Sequence, residues 1–145
     1  MGAGRQIDQQ YVRTGKVRLV YRNMVVIKGD ESYWAGEAAH CAGDQGKFWE
    51  YHDTLFASQA GENKGAFSKS NLKRFAQELG LDTGAFNTCL DGDKYNKQVR
   101  DETAEGNRRG ARSTPTFFIN DQKIEGALPF ESFKTAIDAG LQGTK

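Results

Sequence analysis

Few residues in this chain have the types and spacing to do chemistry. Its 145 residues include two cysteines, Cys41 and Cys89, and two histidines, His40 and His52. The cysteines lie too far apart in sequence to form a Cys-x-x-Cys pair. From the residues alone they are a disulfide, two buried thiols, or one reactive thiol. A thiol attacks as its thiolate, which needs a positive or polar setting. Cys41 follows small and apolar residues on a helical pattern, and Cys89 sits between Phe86 and Leu90, so both settings raise a thiol pKa rather than lower it. With the histidines they are the only soft metal ligands. His40 and Cys41, neighbours on a helix, point about 100° apart, and no Cys-x-x-Cys or His-x-x-x-His pair accompanies them, so no metal site is expected. His52 is expected to pack among aromatic rings. No Gly-rich phosphate loop or Ser-His-Asp pattern stands out, and no cofactor is implied.

The other candidate is the stretch "GARSTPTFFIN", residues 110–120. A basic loop runs through Ser113 and Thr114 into Pro115 and then directly into an apolar run. Proline cannot donate to a sheet ladder, which places Pro115 at the start of a strand, and a cis bond before it is one way to make so tight an approach. Such a loop either delivers the chain into the sheet or presents its backbone to a ligand.

The elements that must position these residues follow from periodicity. Ile7, Tyr11 and Val12 fit the end of a helix stopped by Gly15. The stretch "KVRLVYRN" alternates as a half-buried strand, with Val17, Leu19 and Tyr21 on one face. Helical patterns follow from Asp30 or Ser32 to Gly43, then over an aromatic-rich stripe from Phe48 to Phe56, and from Ser68 to Gly80. A short helix carries Phe86 and Cys89, and a mostly polar one over 94–109 is expected on the surface. "TFFIN" and "KIEGA", separated by Asp121 and Gln122, predict a tight hairpin, and Pro129 opens a closing helix with Phe130, Phe133, Ile137 and Leu141.

The length fits one domain with a single core, here 1–145. Twenty Lys and Arg oppose nineteen Asp and Glu, a formal +1 with neither sign concentrated, which argues against nucleic acid and membrane surfaces. The first residues hold no apolar run of signal-peptide length, and no stretch is long enough to span a bilayer.

Taken together, the "GKVRLVYRN" strand, "EAAHCAGDQGKFWEYHDTLF", "LGLDTGAFNTCLD" and "GARSTPTFFINDQKIEGALPFESFKTAID" resemble the DsbA-like family of thiol-disulfide oxidoreductases. The resemblance implies an α/β, thioredoxin-like fold with an inserted helical subdomain at about 31–110 and thioredoxin-like elements at 5–29 and 111–143. It also implies an extracytoplasmic setting and protein thiol substrates. Family members open with a strand and a helix that begins at a Cys-x-x-Cys pair, and here only Met1 to Arg5 precede the matching part. The fold is therefore read as incomplete and the chain as a truncated member with no catalytic residue of its own, redox-inactive alone.

By the resemblance, Thr114 and Pro115 match the loop whose cis-proline helps bind an extended substrate, and Ser113 stands where many relatives have glycine. Cys41 and Cys89 match a second, structural disulfide within the helical insertion. The missing strand would be central, between "VRLVYRN" and "TFFIN", so a homodimer that completes the sheet is expected. The alternative function is a non-catalytic thioredoxin-like module that binds an extended peptide or a partner subunit.

Overall fold

A computed structural model describes residues 2–143. It divides into two compact units, one made of 2–21 with 107–143 and the other of 22–106.

The helical unit holds α2 (Asp30–Gly43), α3 (Phe48–Ala57), α4 (Lys69–Glu78), α5 (Thr83–Asp91) and nearly all of α6 (Asn96–Arg108). Asp30 and Glu31 in the first turn of α2 suit the positive end of its dipole. Small residues then let α2 approach its neighbours closely: Ala38, Ala39 and Ala42 are buried, and a Cβ on Gly36 would lie 2.8 Å from Asn23 Oδ1. Around that face Tyr51, Leu72, Phe86 and Leu90 are fully enclosed. The Tyr51 hydroxyl donates to the Leu72 carbonyl at 2.8 Å, which satisfies the one polar atom this ring brings inside. The Asp82 side chain caps α5 by accepting from the Ala85 amide at 3.0 Å. Gln45 then grips Asp82 twice, donating to its carbonyl and accepting from its amide, and so joins the end of α2 to the start of α5.

The other unit begins with α1 (Ala3–Ile7), which runs into a π-helical turn at Asp8–Val12. It closes with a hairpin of β1 (Thr116–Ile119) and β2 (Gln122–Glu125) followed by α7 (Phe130–Gln142). Ile7, Tyr11, Ile124, Phe133 and Ile137 form its core, with Val17, Phe117 and Ile119 packed against them. The Tyr11 hydroxyl donates to Asp138 Oδ1 at 2.7 Å and ties the N-terminal turn to α7.

Three expectations change. Residues 17–27 form no strand. A strand exists only with a ladder partner, and among the described residues the sheet has two strands, β1 and β2. Leu19, expected inward, is 43% exposed, and its neighbour Val20 is 45% exposed. The hairpin turn is Asn120 and Asp121, with Asn120 at φ 53°, so Gln122 belongs to β2. Finally, α6 is not wholly a surface helix: Val99 and Glu102 are buried.

Candidate functional site

The loop before β1 is held by its own strand. Its Thr114–Pro115 peptide bond is cis. The Gly126 amide donates to the Pro115 carbonyl at 2.8 Å, and the Thr116 hydroxyl to the Ser113 carbonyl at 2.7 Å. Residues 112–115 are exposed. Beside them the Arg109 guanidinium lies 3.8 Å over the Phe118 ring, and Lys123 Nζ donates to the Gly110 carbonyl at 3.0 Å.

The ladder register decides which way each backbone group of β1 points. Thr116 faces Glu125, Phe117 faces Ile124, Phe118 faces Lys123 and Ile119 faces Gln122. In an antiparallel pair, hydrogen-bonded and non-bonded positions alternate. The bond from Gly126 to Pro115 sets the phase, so Phe117 and Ile119 direct their N–H and C=O to β2. Thr116 and Phe118 direct theirs to the opposite edge, on which no described strand pairs. The Thr114 amide and carbonyl likewise engage no described residue. Ser113, Thr114 and Pro115 thus continue into an open backbone edge, with Phe117 and Ile119 already turned into the core below.

The two cysteines belong to the helical unit. Cys41 on α2 and Cys89 on α5 form a disulfide with Cα atoms 5.9 Å apart, closing a loop between positions 48 residues apart. Cys41 is 1% exposed, whereas Cys89 is half-buried. Against Cys89 lies Asp44, whose Oδ2 is 3.9 Å from the Cys89 sulfur. Lys94 Nζ donates to the same oxygen at 2.7 Å and the Tyr95 hydroxyl to Oδ1 at 2.5 Å. Partial burial of Asp44 works against its charge, but these two hydrogen bonds and the Lys94 cation prevail and hold its carboxyl below the usual range.

A polar cluster that periodicity did not single out also packs against α2. Glu102 Oε2 accepts from the Asn23 amide at 2.9 Å and from Asn23 Nδ2 at 2.8 Å, and Oε1 accepts from Gln98 at 3.0 Å. Asn23 Nδ2 also lies 2.9 Å from His40 Nε2. Burial opposes ionisation of Glu102, yet His40 Nε2 3.7 Å from Oε2 and the hydrogen bonds from Asn23 and Gln98 outweigh it and bring its pKa down to about 2. Glu37, fully buried on α2, behaves in the opposite way. Its Oε1 accepts from Asn96 at 2.8 Å, its Oε2 has no partner among the described residues, and burial raises its pKa despite the Asn96 bond. Sequence spacing held one signal for Glu102, which stands three residues beyond the buried Val99 on α6.

His40 stacks on Tyr95 with ring centroids 5.1 Å apart. His52 packs against Phe56 at 4.6 Å, with its Nδ1 3.1 Å from Asp53. Among the described residues no group of three or more His, Cys, Asp or Glu side chains is arranged to hold a metal ion.

A hairpin entered through a cis-proline, a closing helix and a disulfide-bonded helical unit define a thioredoxin-like fold with added helices. A family model described as thioredoxin matches residues 2–139, and the chain belongs to this family. The chain is 32% identical over 111 residues to the Na(+)/H(+) antiporter NhaA 1 of Salinispora arenicola, covering 77% of this chain and 16% of that protein. To the probable disulfide bond formation protein D of Bacillus anthracis it is 25% identical over 141 residues, covering 94% of this chain and 64% of that protein. The crystal structure of oxidised BdbD from Bacillus subtilis superposes with a TM-score of 0.84 at 22% identity, covering 96% of this chain and 76% of that one. The chain therefore spans about one sixth of the antiporter and less than two thirds of the disulfide bond formation protein.

Proposed function

We propose that this chain is the polypeptide-holding part of a DsbA-like thiol-disulfide oxidoreductase and is redox-inactive on its own. Ser113, Thr114 and Pro115 receive an extended segment of a protein substrate, which continues along the open edge of β1. The observation that carries this reading is the row of backbone groups at Thr114, Thr116 and Phe118 that face no described partner. An extended segment satisfies such a row by adding a strand, and affinity then comes from main-chain bonds rather than from a reacting sulfur. The cysteines support redox inactivity: the two in the sequence are bonded to each other, and neither belongs to a Cys-x-x-Cys pair. A formed bridge suits an oxidising, extracytoplasmic compartment.

Fluorescence anisotropy with a labelled, unfolded, cysteine-free polypeptide tests the binding, and an insulin-reduction assay tests the inactivity. We expect saturable binding and turnover no higher than the background of small thiols. Turnover abolished by replacing Cys41 or Cys89 overturns the second part.

The same open edge supports a second reading. A second copy of the chain, rather than a substrate, supplies the strand, which makes a homodimer. Light scattering distinguishes the two, since a monomer at high concentration removes this version.

A further inference from the structure

The Cys41–Cys89 bridge can be approached from one side. Thiol-disulfide exchange begins when a thiolate attacks one sulfur and expels the other. Cys41 is 1% exposed and sealed in the core with Ala38, Ala42 and Phe86, so Cys89, a half-buried residue, is the end of the bridge open to a reagent. Attack there forms a mixed disulfide on Cys89 and breaks its bond to Cys41. The electron pair and negative charge leave on Cys41 Sγ, into apolar surroundings that disfavour a thiolate.

Asp44 stands over this one approach. Its Oδ2 is 3.9 Å from Cys89 Sγ, and because a disulfide sulfur carries no hydrogen, this contact is not a hydrogen bond. Asp44 is also the C-terminal cap of α2, where the helix dipole disfavours an anion. The carboxylate is nevertheless fixed in place, by Lys94 on one oxygen and Tyr95 on the other.

We infer that Asp44, pinned by Lys94 and Tyr95, shields the Cys41–Cys89 disulfide electrostatically from attack by thiolates. It acts as a positioning residue that sets the charge met by an incoming nucleophile, and it takes no part in bond making. The bridge is thereby kept out of exchange with thiols while a neutral reductant still reaches it. This inference does not depend on whether the Thr114 edge binds a polypeptide, and each stands if the other fails.

The test is the rate of bridge reduction in the folded chain, followed by alkylation and mass measurement, with two reductants. Dithiothreitol attacks as a thiolate, delivers two electrons to the bridge, which becomes the two thiols of Cys41 and Cys89, and is itself oxidised to its cyclic disulfide. Tris(hydroxypropyl)phosphine is uncharged and is oxidised to its phosphine oxide. Asp44→Asn removes the carboxylate and leaves the Lys94 cation, now unpaired, beside the bridge, a one-charge change near the surface that is expected to speed thiolate attack by roughly fivefold to tenfold. Asp44→Asn should therefore accelerate reduction by dithiothreitol by that factor and reduction by the phosphine less than twofold. Asp44→Glu, which keeps the charge, should stay near the wild-type rate. Equal acceleration with both reductants would mean that the substitution merely loosens the helices, and an unchanged dithiothreitol rate would mean that no shield exists; either result overturns the inference. Limited treatment with glutathione should place its adduct on Cys89, and an adduct mapped to Cys41 also contradicts the assignment.

Discussion

The helical unit and the hairpin unit satisfy their polar and apolar groups in different ways. In 22–106 nearly every strong group finds its partner inside the unit: Tyr51 bonds the Leu72 carbonyl, Asn23 and Gln98 converge on Glu102, and two helices are joined covalently through Cys41 and Cys89. In the hairpin unit one flank of β1 is bonded to β2 while the other offers Thr116 and Phe118 to no described strand. Helices bond their own backbones and need only a covered face, whereas a strand always leaves half of its backbone to a neighbour. The part of this chain with unfilled bonding capacity is the part to which the proposed function assigns an extended ligand, and that proposal leaves the filled part as scaffold.

The largest effect should come from opening the scaffold. Replacing Cys41 and Cys89 together with Ala removes a cross-link between positions 48 residues apart, which the chain-entropy account values at about 4 kcal/mol. Urea unfolding of the helical unit should show that loss and leave polypeptide binding by the hairpin unit measurable. Core truncation should have an effect of similar size. Phe86→Ala and Phe133→Ala each empty a site that is at most 2% exposed and should cost about 3–5 kcal/mol in their own units.

Two buried glutamates sharpen the contrast through pH, with opposite signs. The Glu102 pKa is depressed from 4.5 to about 2, so its contribution is present above 4.5 and is lost as pH falls towards 2. Glu102→Gln should therefore be less stable than wild type at neutral pH, with the gap closing as acid is added. The Glu37 pKa is raised above 4.5, so the folded state favours its protonated form, and that contribution is lost as pH rises from 4.5 through the raised value. Glu37→Gln should then be more stable than wild type at neutral pH and lose this advantage in acid. Stability curves of both variants from pH 3 to pH 8 check the signs. The smallest effect on stability should come from Thr116→Pro, whose lost amide faces the open edge; the ladder to β2 is kept, the cost should stay within about 1 kcal/mol, and polypeptide affinity should fall at least tenfold.

Much of this was legible in the sequence because it depends on local rules. Gly15 and Gly43, the Pro129 start of α7 and the apolar stripe through Phe133 and Ile137 mark the elements where they are found. Pro115 stands immediately before β1 as its chemistry requires. What escaped depends on partners distant in sequence. The alternation of Val17, Leu19 and Tyr21 is genuine, but alternation describes a side-chain pattern and cannot supply a ladder neighbour. The Asn23, His40 and Glu102 cluster joins three segments, and Glu102 reads as surface until Asn23 is brought to it. Asp44 reads as a loop residue because nothing near it in sequence announces the sulfur it faces.

The central claim is that the outward backbone of β1 is a polypeptide-binding edge, and amide hydrogen exchange resolved by residue tests it most directly. In the free chain the Phe117 and Ile119 amides should exchange slowly, held by β2, while those of Thr114, Thr116 and Phe118 exchange fast. Adding a saturating unfolded, cysteine-free polypeptide should slow Thr114, Thr116 and Phe118 selectively and leave Phe117 and Ile119 unchanged. Fast exchange persisting at those three amides in the presence of bound polypeptide would contradict the account.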